Sequence, residues 1–275
     1  MTEQSADVLT RLVALSPTGL RDVNATVRAV CADAVGLPPL PAEPATGAVD
    51  PVVAEFAEQF STDVSSVDAD LRGRFLGSVG TQAFSVTALI FIADFVPRVR
   101  AGLSALGLGR PTGDVASVDW DRDGEPGDVL LNDFAPTVGR MRDLDPVTSE
   151  IVRLRGARQH NCRLCKSLRE GAALDAGGSE SLYSGIDSYE ASDLGERHKA
   201  ALRYVDALIW QPSALGAAAA GVREQFSDAE AVELTLDVMR NACNKIAVAF
   251  GADQPRIAEG TERYLLGADG HPVYS

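Results

Sequence analysis

Apolar residues recur along most of this chain at intervals of three and four, the spacing of a buried helical face, and few segments alternate as half-buried strands do. The pattern predicts an all-α fold. It is clearest from Asp193 onward. Asp193-Leu-Gly-Glu196 has the form of a capping box, and Ala200, Ala201, Tyr204, Val205, Leu208 and Ile209 form the stripe behind it, closed by Gln211-Pro212. Ser227-Asp-Ala-Glu230 is a second capping box. Val232, Leu234, Leu236, Val238, Met239, Ala242, Cys243 and Ile246 follow and predict a helix buried on most sides, stopping at Gly251. The most apolar stretch, Phe84 to Val96, includes Ser85, Thr87 and Asp94 and falls short of the ~20 residues of a membrane span. It predicts a core helix, with no membrane partner.

Two stretches interrupt the helical text. Gly36 to Pro51 holds Pro38, Pro39, Pro41, Pro44 and Pro51 and predicts extended chain. Leu108 to Asp128 mixes glycines, prolines and aspartates. The resulting division is a helical N-terminal half over 1–110, a linker over 111–128 and a C-terminal domain over 129–275. A faint echo links the halves: each has an apolar helix with a basic residue near its end (Arg98 and Arg100; Lys245), then Ala-Leu-Gly or Ala-Phe-Gly. The N-terminal half is therefore a candidate degenerate copy, without a Cys-x-x-Cys pair.

Composition narrows the function classes. A formal net charge of −14 argues against nucleic acid, whose phosphates want a basic face. Glu3 and Asp7 stand where a secretory signal needs basic residues, so the expected location is the cytoplasm. In that reducing compartment two of the four cysteines, Cys162 and Cys165, are close enough in sequence for catalysis or metal binding. Cys31 and Cys243 sit in apolar helical patterns and suit small core residues.

The run from Asp145 to Arg169 carries the chemistry. Asp145-Pro146 predicts a helix start, and Asn161 breaks the following pattern and can cap a new helix. Cys162 then falls in a first turn and Cys165 one turn later, on the same face and within reach of a disulfide. The helix N-terminus and the neighbouring Arg163, Lys166 and Arg169 favour thiolate over thiol. A turn at His160-Asn161 folds the preceding helix back, so that Glu150 can approach the sulfurs.

A glutamate, eleven residues and then Cys-x-x-Cys, here Glu150, Cys162 and Cys165, resembles the alkylhydroperoxidase D-like/carboxymuconolactone decarboxylase family. Arg197 to Tyr204, Phe226 to Glu230 and Asn244-Lys245 are similar to its C-terminal helices, and the likeness covers about Leu144 to Asp253. It implies an all-helical fold, thiol-dependent peroxidase or disulfide reductase activity, and assembly into homo-oligomers. It gives the attack on peroxide to Cys165, the resolving role to Cys162 and a proton-relay role to Glu150. The substrate is then a peroxide or disulfide, the second partner an external dithiol reductant, and no cofactor is needed. The family's relay histidine falls on Arg169, which stays protonated and cannot shuttle a proton. His160, two residues before Cys162, is the candidate replacement.

Other readings stand beside this one. Glu150 can be a structural partner of Arg153, and His160 a turn residue. A zinc site needs four ligands, and beyond Cys162, Cys165 and His160 the sequence offers no fourth, so no metal is expected. Glu150 and His160 can instead act on a lactone or keto acid with the cysteines as spectators. A redox-sensing subunit without catalysis is the third possibility.

Overall fold

The computed structural model describes residues 3–109 and 118–274. The first part of the predicted linker, 111–117, lies outside the described residues. The structure is all-α, 67% helix and 5% strand. The N-terminal half holds α1 (Glu3–Ala14), α2 (Arg21–Val35), α3 (Pro51–Asp63), α4 (Ala69–Val79) and α5 (Ala83–Ala105). Next come α6 (Pro126–Asp128), a π-wound stretch Val129–Phe134 and α7 (Ala135–Gly139), followed by α8 (Pro146–Gln159) and α9 (Arg163–Ser167). Then follow β1 (Leu168–Glu170), α10 (Gly171–Asp175), α11 (Glu180–Ser184), α12 (Glu196–Ile209), α13 (Leu215–Gln225), α14 (Asp228–Ala242), α15 (Lys245–Ala249), β2 (Glu262–Leu266) and β3 (Pro272–Tyr274).

Most predicted signals act as expected. Asp50 caps α3 ahead of Pro51, after an extended stretch that follows Gly36. Asp145 caps α8 by accepting from Thr148 N, and the Ser227–Glu230 capping box is complete. Two signals do not. The N-cap before α12 is Gly195 rather than Asp193. The helix predicted to run unbroken to Gly251 stops at Ala242, and α15 begins at Lys245 after the break.

The most apolar stretch forms a central helix. Every residue of α5 from Val86 to Val99 is buried, because the helix is apolar all round and must be covered on every side. By length and composition Ala69–Ala105 could cross a membrane; in this fold α5 packs against α2, α3, α13 and α14. One contiguous core runs from Leu12 in α1 to Ala249 in α15, so both halves share it.

The pattern gave no sign of the small sheet. β1 pairs parallel with β2, and β2 pairs antiparallel with β3. All three residues of β1 are buried, which removes the alternation that would announce a strand. The C-terminal segment, in which His271 reads from sequence as part of a frayed tail, is instead a hairpin whose turn rests on α7. Gly270 there has φ +85°, and a Cβ added to it would strike the Pro136 carbonyl. The π winding just before α7 fits Pro136, which has no N–H to give a regular helix: Ala135 N bonds back to Leu130 O instead.

Gly270→Ala should therefore loosen the hairpin. Positive φ alone costs an L-residue about 1–2 kcal/mol, and the contact with Pro136 adds to it. The expected outcome is a lower urea midpoint and faster amide exchange in β2 than in α5. An unchanged midpoint with unchanged β2 protection would contradict this docking.

Candidate active site

Capping decides where the two cysteines sit. α8 ends at Gln159, and Asn161 takes a left-handed conformation (φ 52°), which asparagine tolerates better than most residues. Cys162, not Asn161, is then the N-cap of α9: its Sγ accepts from Cys165 N at 3.1 Å. Cys162 and Cys165 are joined as a disulfide, with Cα atoms 5.3 Å apart. They are 1% and 5% exposed, yet both line a cavity of about 230 Å³.

The cations flanking the motif in sequence do not serve the sulfurs. Arg163 pairs with Asp253, Lys166 donates to Asn161 Oδ1, and Arg169 pairs with Glu180. Asp253 also accepts from Arg163 N, and its carbonyl accepts from Leu164 N, so the first turn of α9 is largely occupied. The positive charge on the cavity wall comes from elsewhere: Arg153 of α8, Arg240 of α14 and Lys245 of α15.

Arg153 is the structural centre of this wall. Its guanidinium forks onto both oxygens of Glu150 at 2.6 and 2.7 Å. It also donates to the Cys165 carbonyl at 2.8 Å and the Leu168 carbonyl at 2.7 Å. The Tyr264 ring stacks beside it, 5.7 Å from its centroid. Burial pulls the Arg153 pKa down, but Glu150, with Tyr264 and Glu170, raises it overall and keeps the guanidinium protonated. Glu150 itself is fully buried and lines no part of the cavity. The expected approach of Glu150 to the sulfurs thus runs through Arg153, a group that holds its protons.

His160 does reach the cavity. It is 6% exposed, edge-on to Phe95, and its Nε2 has no hydrogen-bond partner. Burial first, then Lys245 and Arg98, push its pKa well below the usual imidazole range, so it is neutral at physiological pH. The two cations meet at Asp94 of α5, which accepts from Arg98 Nε at 2.8 Å and from Lys245 Nζ at 2.6 Å. All three are nearly inaccessible, at 0%, 3% and 4% exposure. Two cations share one carboxylate, leaving a net positive charge by count.

Sequence reasoning found Cys162, Cys165 and His160, which share this cavity, and Glu150, which stands behind it. It missed Arg240, Asn241, Tyr264 and His271 on the wall. A usable signal existed for the charge beneath His160: Asp94 and Arg98, one helical turn apart inside an apolar helix, already spell a buried pair. Cys243 also lines the cavity, but its thiol is pushed up to about 12 by burial and stays protonated. Cys31 is likewise raised to about 12, first by burial and then by Asp94. Among the described residues no group of three or more His, Cys, Asp or Glu side chains is arranged to hold a metal.

The chain is similar along its whole length to two curated proteins of Mycobacterium tuberculosis. They are uncharacterized protein MT2376 of strain CDC 1551 / Oshkosh and uncharacterized protein Rv2313c of strain ATCC 25618 / H37Rv. Each is 54% identical over 279 residues, covering 98% of this chain and 97% of its own length. No family model matches the chain, and no solved structure matches it.

A row of acids on α14 leads towards this wall. Glu233 is raised to about 7, first by burial and then by Asp237, against the opposing pull of the Leu144 and Asp143 amides. Between pH 4.5 and 7 the folded chain holds a proton on Glu233 that the unfolded chain has lost, so this group's stabilisation falls as pH rises through that window. Glu233→Gln should remove that fall and leave the variant more stable than the parent above pH 7, by on the order of 1–3 kcal/mol. Urea unfolding of both proteins from pH 4 to 8 checks it; parallel stability curves would contradict it.

Proposed function

The chain belongs to the family of these two mycobacterial proteins, and we propose that it is a thiol-dependent oxidoreductase of alkylhydroperoxidase D-like type, reducing a peroxide with the Cys162–Cys165 pair. The observation that carries this reading is the pairing of the two sulfurs on the wall of a cavity that also bears Arg153, Arg240 and Lys245. Nearby cations lower a thiol's pKa, and a thiolate is the nucleophile.

The division of labour follows from access and hydrogen bonding. Cys165 is the less covered residue of the pair and meets the outside reagent. Its thiolate attacks one peroxide oxygen, the O–O bond breaks, and the departing alkoxide takes a proton and leaves as an alcohol. The Cys165 sulfenic acid is then attacked by the Cys162 thiolate; the S–S bond forms and hydroxide leaves as water after protonation. The dithiol has lost two electrons and the peroxide has gained them. A dithiol reductant restores the pair by attacking Cys165, so that Cys162 departs as the thiolate that accepts from Cys165 N. Glu150 acts as a positioning residue through Arg153, and His160 offers a neutral ring nitrogen to the cavity rather than a strong base. Proton transfer on a lactone or keto acid by Glu150 and His160 is the weaker reading, because Glu150 does not line this cavity and His160 is a weak base there.

One stoichiometric dose of hydrogen peroxide on the reduced protein, followed by alkylation and peptide mapping, tests the proposal. Cys162 and Cys165 should lose their labels together, and Cys31 and Cys243 should label only after unfolding. Cys162→Ser should leave a trappable sulfenic acid on Cys165, and Cys165→Ser should abolish the response. With excess dithiothreitol the parent should consume many equivalents of peroxide. Cysteines that stay alkylatable would sink the redox role; a single oxidation without turnover would reduce it to a switch.

A further inference from the structure

The cavity wall is at odds with the chain that builds it. The protein carries a net charge of −14, yet among the described residues the cavity lining includes three cationic side chains and no aspartate or glutamate. All three nitrogens of Arg153 are engaged, by Glu150 and two carbonyls. Arg240 is not: its Nε donates to Asp237 at 2.9 Å, and its two terminal nitrogens make no hydrogen bond among the described residues. Beside it, the buried Asn241 Nδ2 has no partner, and neither has His160 Nε2. Of these, the Asn241 amide nitrogen is a buried donor by its chemistry, and a buried donor without an acceptor is expensive in a folded protein and points to a missing acceptor. The charge beneath them agrees, since Lys245 and Arg98 exceed Asp94 by one.

We infer that this cavity takes a small organic anion, and that the oxidant reduced by Cys162 and Cys165 carries a carboxylate held by the Arg240 fork and the Asn241 amide. This rests on the dithiol reading for the oxidant but not for the anion. Arginine presents paired donors that match the two oxygens of a carboxylate. Leu131, Leu164 and Leu266 supply an apolar surface for the remainder. A cavity of about 230 Å³ has room for a small organic acid.

Hexanoate and its neutral isostere hexanamide are suitable probes. Titrated by calorimetry into the full-length oxidised protein, where no thiolate competes, hexanoate should bind and hexanamide should bind roughly 10- to 100-fold more weakly, the factor expected for a lost charged hydrogen bond. Arg240→Gln should lose the preference for the acid. Because that change strands Asp237, Asn241→Leu provides a second test and should weaken hexanoate with an unchanged melting temperature. In the reduced protein hexanoate, and not hexanamide, should slow alkylation of Cys165. Equal binding of acid and amide, binding of neither, or acid binding that survives both substitutions would overturn the inference. Oxidation of the dithiol by hydrogen peroxide needs no anion, so either proposal can fail while the other stands.

Discussion

The arrangement depends on one buried guanidinium. Arg153 ties the carboxylate of Glu150 in α8 to the backbone carbonyls of Cys165 in α9 and Leu168 in β1. Without it, α9 is a helix of five residues held at its start by an N-cap sulfur and Asp253, too short to persist by itself. With it, the dithiol is fastened to the long helix behind it and to the sheet beside it. Removing one member of such a buried pair leaves an uncompensated charge, a loss of roughly 3–5 kcal/mol in comparable cases. The glutamate that looks like a proton relay in the motif has this mechanical role in the fold.

A second charged group sets the potential of the cavity. Asp94, deep in α5, faces Arg98 of its own helix and Lys245 at the start of α15. The break after Ala242 is what lets α15 begin there. Lys245 also rests against the rings of Phe60 and Phe95, which accommodate its charge without neutralising it. The excess cation adds to burial in keeping His160 neutral and favours negative charge in the cavity, whether on a thiolate or on a bound acid. The N-terminal half is thereby part of the site, since Asp94 and Arg98 come from its central helix.

The helical class, the α8 start, the turn before Cys162 and the buried α5 were legible because each has a local signature: apolar periodicity, a capping residue or a Pro after an acceptor. The cavity was not. Its wall is assembled from α7, α8, α9, α14, α15 and the terminal hairpin, and no local pattern reports such convergence. Arg163, Lys166 and Arg169 show the limit most directly. They neighbour the cysteines in sequence, yet each is turned to Asp253, Asn161 or Glu180. The cations that do line the cavity come from residues 153, 240 and 245. The sheet was not legible because β1 has no exposed alternate position and β3 is three residues long.

A redox titration of the Cys162–Cys165 pair, read by thiol alkylation in thiol–disulfide buffers of graded potential, tests the central claim most directly. A working dithiol should titrate as one reversible two-electron couple, with a midpoint between about −270 and −120 mV, the span from thioredoxin to the most oxidising disulfide catalysts. A pair that remains oxidised below about −300 mV, as structural disulfides do, or that never closes in oxidising buffer, would contradict it.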